Sequence, residues 1–145
     1  MDHLTKEKRS WNMSRIKSKD TSPEKIVRSL LHSMGYRFRL HGNINKKIYK
    51  SGVLPGKPDI VLAKYKTVIF VHGCFWHHHK NCKGATTPKT NTEWWLDKFQ
   101  KNINRDQKNQ TQLYDIGWNV SIVWECQIIE NIELKAKLLK ELKRN

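Results

Sequence analysis

The nine residues Cys74-Phe75-Trp76-His77-His78-His79-Lys80-Asn81-Cys82 carry two thiols, three imidazoles and two large aromatic rings, and the chain's only other cysteine is Cys126. Zinc binds Cys and His tetrahedrally, at short spacings that let one loop supply several ligands. Cys74, one histidine of 77–79, Cys82 and Cys126 make a Cys3His set, with Cys126 just past an expected strand end and able to reach the loop from a neighbouring strand. Burial as small hydrophobes would suit Cys126, but poorly suits Cys74 and Cys82 flanking three histidines in a polar loop. Cys-x2-His and Cys-x4-His both fit, so spacing leaves the histidine open. With every position filled by protein such a site is structural and not catalytic. A loop tied down in this way cannot bury both Phe75 and Trp76 in its own interior, so the rings need a partner.

Charge indicates which partner. Lysine and arginine outnumber the acidic residues 28 to 13, for a net charge of +15. Such an imbalance speaks to polyanionic partners, nucleic acid or acidic membrane surface, and not to fold. The longest apolar run is Val68-Ile69-Phe70-Val71, so no membrane span is expected. Met1-Asp2-His3 opens a polar segment without a signal-peptide pattern. A cytoplasmic protein acting on nucleic acid is therefore expected, with cysteines that bind metal or stay free. The 145 residues suit one domain with a real core. Residues 1–20 read as a basic arm, solvated when alone, ahead of a single domain over 21–145.

Periodicity predicts α-β-β-β-α-β-α. Thr21 and Glu24 have capping-box spacing, Pro23 suits a first turn, and Ile26, Val27, Leu30, Leu31 and Met34 share a face before Gly35. Residues 36–40 alternate as a strand, 41–57 form a glycine- and lysine-rich loop, and 59–63 and 67–71 make a hairpin of apolar strands. Thr92 is placed to cap a long helix to about Ile116, with a stripe of Trp95, Phe99, Ile103 and Leu113 and a stop at Gly117. A strand over 118–124 follows, with Trp118, Val120, Ile122 and Trp124 alternating against Asn119 and Ser121. A last helix carries Leu134, Leu138, Leu139 and Leu142. The fold class is mixed α/β (α+β), a central mixed sheet flanked by helices.

Asp59 opens one hairpin strand and Val71-His72 ends the other. A carboxylate at a sheet end beside histidines suits a hydrolase that holds magnesium at a phosphodiester, since Mg2+ takes oxygen ligands from one or two carboxylates and the substrate. Histidine can move the proton of the attacking water or leaving group. Taken alone, Asp59 is a turn residue after proline, and Arg105 and Asp106 are a solvated helix face. His72, His77 and His78 exceed what one zinc site needs, which favours the catalytic reading.

Together these segments resemble the very-short-patch repair (Vsr) endonucleases, DNA mismatch nickases with a core like that of type II restriction enzymes. The resemblance runs from Asn12-Met13 and Asp20-Thr21 through Leu54-Pro55-Gly56-Lys57-Pro58-Asp59 to the specific run His72-Gly73-Cys74-Phe75-Trp76-His77-His78-His79. It continues in Thr92-Glu93-Trp94-Trp95, in Asn102 to Arg105-Asp106, and in Gly117-Trp118 through Trp124-Glu125-Cys126. It implies a Mg2+-dependent enzyme that nicks one strand 5′ to the thymine of a T·G mismatch. It also implies a monomer on double-stranded DNA, with accessory mismatch-repair proteins as further partners. Asp59 would be the magnesium carboxylate. Val71 would contribute its main-chain carbonyl where the family pattern has threonine. His77 would be the general acid/base, with His72 positioning phosphate or water and Asp106 orienting the histidine. Glu24 falls on an active-site glutamate as well as in the capping box. Zn2+ would take Cys74, His79, Cys82 and Cys126. Phe75, Trp76 and Trp95 would enter the DNA stack beside the mismatch, with Met13 reaching in from the opposite groove. Two features depart from the pattern: the His79–Cys82 spacing is one residue longer, and the 41–57 loop is longer and lysine-rich.

Overall fold

The computed structural model describes residues 20–128 and 131–142. Three helices, α1 (Ser22–Ser33), α2 (Thr92–Asp115) and α3 (Asn131–Leu142), flank four strands, β1 (Arg39–Leu40), β2 (Ile60–Leu62), β3 (Thr67–His72) and β4 (Asn119–Trp124). Strand order is β1-β2-β3-β4, antiparallel except that β4 runs parallel to β3, so the sheet is mixed as expected. The β3–β4 connection contains α2, the crossover that a parallel pair requires.

The central strands are almost continuously apolar because both faces of the sheet are covered. Ile60, Leu62, Ile69 and Val123 face Val27 and Leu31 of α1 and Leu134, Leu138 and Leu142 of α3. Val61, Val68 and Phe70 pack with Leu113 of α2, Trp118, and Ile44 and Leu54 of the 41–57 loop. This double cover explains why β4 does not have the polar face that its alternation suggested. Ser121 is buried, with its hydroxyl hydrogen-bonded to Glu141, while Val120 and Ile122 pack partly buried on the other side.

Other local expectations shift by a residue or two. The predicted strand over 36–40 pairs only at Arg39–Leu40, opposite Val61 and Ile60 of β2. Thr21 caps α1, its Oγ1 accepting the Glu24 N–H at 3.4 Å, but the box does not close on Thr21. The Glu24 carboxylate instead accepts the Asp20 N–H at 2.7 Å. Asn91, not Thr92, is the N-cap of α2, and the Thr92 hydroxyl donates to the carbonyls of Pro88 and Lys89. The buried stripe of α2 is Trp95, Phe99, Asn102 and Leu113, with Ile103 only half-buried.

Candidate functional site

The register of the parallel pair brings the chemistry to one end of the sheet. His72 lies opposite Trp124, so the chain leaving β3 toward Cys74 and the chain leaving β4 toward Cys126 emerge side by side. Residues 73–79 then wind tightly, with backbone bonds from His77 N–H to Gly73, His78 N–H to Phe75 and His79 N–H to Cys74. That winding sends successive side chains in different directions, which is how three adjacent histidines acquire three surroundings.

His79 turns toward the cysteines. Its Nδ1 lies 3.7 Å from Cys74 Sγ and 3.5 Å from Cys126 Sγ. One ligand atom from each of Cys74, His79, Cys82 and Cys126 falls within 4.8 Å of the others, a set able to hold a metal ion. Burial pushes the Cys74 thiol up to about 12, while the Gly84 N–H draws Cys82 down. Burial, assisted by Lys137, lowers His79 and keeps its imidazole neutral, as a ligand must be. A buried thiol beside two others and a neutral imidazole is a donor set suited to a soft or borderline cation. His79 also stacks on Trp124, with centroids 3.8 Å apart and planes 5° from parallel.

His77 turns the other way, to α2, where Nδ1 meets Asp106 Oδ2 at 2.5 Å. A carboxylate oxygen accepts, so Nδ1 is the donor of this bond and Nε2 is the ring nitrogen that Asp106 does not engage. His72 stacks on His77 with centroids 3.8 Å apart and planes 1° from parallel. Burial first, then facing His77, pushes His72 down to about 3, so its imidazole stays neutral. His78 stacks on Phe99, and its Nε2 lies 3.4 Å from the Thr87 hydroxyl. That explains the surplus histidine as loop packing.

Glu24, Asp59, Val71, His72, His77 and Asp106 all line one open cleft of about 960 Å³. Asp59 Oδ2 accepts the Val71 N–H at 2.7 Å, which ties the starts and ends of the hairpin strands together. Burial above all raises Asp59, to about 7; the Val71 N–H opposes that shift and the hydrogen-bonded Glu24 carboxyl reinforces it. Asp59 and Glu24 thus set two carboxyls in contact at the cleft, and their oxygens fit a hard divalent cation.

Arg28 supports this pair from behind and was not visible in the sequence pattern. Its guanidinium lies 3.2 Å from Glu24 and 2.7 Å from Asp20, and Asp20 is also 3.2 Å from His41. The i,i+4 spacing of Glu24 and Arg28 is the one signal that could have found it. Asn102, within the stretch that carries the resemblance but with no role expected of it, is buried mid-helix on α2: its Nδ2 donates to the Trp76 carbonyl at 2.8 Å and fixes the aromatic loop.

Phe75 packs edge-on to Trp76, Trp95 and Phe99, with centroids 5.2–5.3 Å apart. Phe75 and Trp76 are half-buried, Trp95 is only 7% exposed and forms the floor beneath them, and Trp94 beside it is 52% exposed. The rings thus find part of their partner in α2. Met13 lies outside the described residues.

A family profile described as DNA mismatch endonuclease Vsr matches residues 1–83. The chain belongs to the Vsr endonuclease family. The DNA mismatch endonuclease Vsr of Escherichia coli is 43% identical over 133 residues, covering 92% of this chain and 79% of the relative. The type II nicking enzyme V.NmeAIP of Neisseria meningitidis is 46% identical, covering 98% of this chain and 96% of its own length. V.XorIIP of Xanthomonas oryzae, also a type II nicking enzyme, is 44% identical over 94% of this chain and 93% of its own length. This Vsr chain is thus a DNA endonuclease. Among the described residues no helix is long and apolar enough to cross a membrane.

Proposed function

We propose that this chain is a Mg2+-dependent, zinc-stabilised endonuclease that nicks one strand of duplex DNA 5′ to the thymine of a T·G mismatch. The observation that carries this reading is one cleft in which the Asp59–Glu24 carboxyls face the His72–His77–Asp106 array. Asp59 and the Val71 carbonyl would hold the magnesium, which when bound supplies Lewis-acid stabilisation of charge at the scissile phosphate. His77 Nε2 takes the proton of the attacking water, and Asp106 holds the ring in the tautomer that leaves Nε2 free. His72, held neutral, positions water or phosphate without competing for that proton. Glu24 orients the Asp59 carboxyl, and Arg28 limits the charge the two share. The zinc ligands are Cys74, His79, Cys82 and Cys126.

The aromatic loop supplies discrimination. Inserting rings between base pairs costs a few kcal/mol per step, least where pairing is already imperfect. Phe75 and Trp76 lead, backed by Trp95, and their held geometry leaves less freedom to lose on binding. Met13 and the rest of the basic arm over 1–20 complete the grip, and the single domain over 21–145 acts as a monomer in the cytoplasm. Accessory mismatch-repair proteins are further partners in this reading.

The test is a duplex carrying one T·G pair, labelled in turn on each strand, incubated with Mg2+ or with EDTA. A single Mg2+-dependent nick 5′ to the thymine is expected. Cutting of both strands would point to a restriction-type nuclease, and binding without cutting to a silent DNA-binding module. Asp106→Asn should lower the nicking rate by roughly 10²- to 10⁴-fold with DNA affinity unchanged, because it releases the His77 tautomer without removing bulk. A rate within a few-fold of wild type would refute the orienting role.

A further inference from the structure

The loop over 41–57 is folded as firmly as the core beneath it. Ile44 and Leu54 are 4% and 1% exposed within the cluster on the α2 side of the sheet, and Tyr49 packs against them. Asn43 bridges Val53, Ile44 N–H bonds to the Gly52 carbonyl, and Leu54 N–H bonds to the Gly42 carbonyl. At the tip, Asn45 starts a helical turn: its side chain accepts the Lys47 N–H, and its carbonyl accepts from Ile48 and Tyr49. The base of the loop is pressed against α2, where a Cβ on Gly56 (φ +77°) would lie 2.8 Å from Asn109. Asn43, Val53, Gly56 and Lys57 line the catalytic cleft, so the tip stands at a set place beside it.

What the tip presents is one-sided. Lys46, Lys47, Ile48 and Lys50 are exposed, Ile48 to 53%, and residues 41–58 contain no acidic side chain. Among the described residues none of the three lysines joins an ion pair. Solvated lysines on a surface are ordinary, but an anchored turn that holds three unpaired lysines around an exposed isoleucine fits a polyanion with an apolar groove edge. Proteins that grip duplex DNA combine backbone cations with apolar side chains in this way.

We propose that residues 43–53 are a separate DNA-gripping element beside the cleft, with Lys46, Lys47 and Lys50 on phosphates flanking the cleavage site and Ile48 against a groove edge. The inference rests on duplex DNA being the substrate. It adds an anchor outside the aromatic loop, one that lengthens the stretch of DNA held during cleavage.

The test is equilibrium binding to a T·G duplex in EDTA at 50 and 200 mM salt. Each phosphate contact contributes a slope of roughly 0.9 in log affinity against log salt, so three contacts account for about a 40-fold change over this range. Lys46→Ala/Lys47→Ala/Lys50→Ala should therefore lose about 40-fold less affinity than wild type between the two salts. Lys64→Ala/Lys135→Ala/Lys140→Ala removes the same charge from exposed positions away from the cleft and should keep the wild-type slope. Ile48→Ser should weaken binding a few-fold, equally at both salts. All three variants should keep the wild-type thermal midpoint. A wild-type slope in the first variant, or equal flattening in both triples, overturns the loop's role while leaving the DNA reading intact. Absence of salt-sensitive duplex binding by the wild type overturns both.

Discussion

Asp59→Asn is expected to abolish nicking and, at the same time, to stabilise the metal-free protein at pH 8. The two effects have one cause. Asp59 is largely buried, and that burial, reinforced by Glu24, raises its carboxyl from 3.8 to about 7. Below pH 4 the folded and unfolded carboxyls are both protonated. Between about pH 4 and 7 the unfolded chain releases a proton that the folded site retains, so stability falls as pH rises through that window. At about 1.4 kcal/mol per pH unit the ceiling is on the order of 4 kcal/mol, and sharing of charge with Glu24 leaves about 2 kcal/mol as the expected gain. Asparagine keeps an oxygen to accept the Val71 N–H and removes the charge. Its metal-free melting midpoint should rise by about 5 °C at pH 8 and little at pH 4. Loss of the metal carboxylate removes several kcal/mol of transition-state stabilisation, so the nicking rate should fall at least about a thousandfold while duplex binding persists. Thermal melts across pH, with a single-turnover assay, read both effects. A variant that nicks normally, or one destabilised at pH 8, would contradict the assignment.

Cys126→Ser should unfold or severely destabilise the zinc-loaded protein, although nothing leaves the core. Cys126 is exposed, and a hydroxyl in place of an exposed thiol ordinarily changes stability by less than about 0.5 kcal/mol. Any larger loss must come through the ligand set it closes with Cys74, His79 and Cys82. Structural zinc contributes folding free energy directly, so a cost of several kcal/mol and loss of bound zinc are expected together. Chelation of the wild type should produce the same lowered midpoint and leave the variant little changed. Unaltered zinc content and stability in the variant would show that Cys126 is not a ligand.

The element order was legible because each segment follows its own period, but the covering of both sheet faces was not. Ser121 looked like a solvent-facing residue and is buried only because α3 lies over it. Cys74 and Cys82 announced themselves by spacing. Cys126 joins them through the register that sets His72 opposite Trp124, a pairing of residues far apart in sequence. Spacing could not divide the histidines, because their surroundings follow from the winding of 73–79 and from Asp106 and Cys126, which come from other elements. Arg28, and its pairing of Asp20 with Glu24 behind Asp59, escaped for a similar reason. Their charges read as a helix terminus until tertiary structure set the terminus against the hairpin. Periodicity placed Trp95 in the apolar stripe of α2, where it is buried, but its packing beneath Phe75 comes from a loop that periodicity does not encode.

The central claim is that the aromatic loop and the cleft act together on a mispaired thymine. The most direct measurement compares single-turnover nicking, with Mg2+ and saturating protein, on duplexes identical except for T·G, A·T or G·C at one position. The T·G duplex should be nicked at least about a hundredfold faster than either matched duplex, and not at all in EDTA. Equal rates on matched and mismatched duplexes would contradict it.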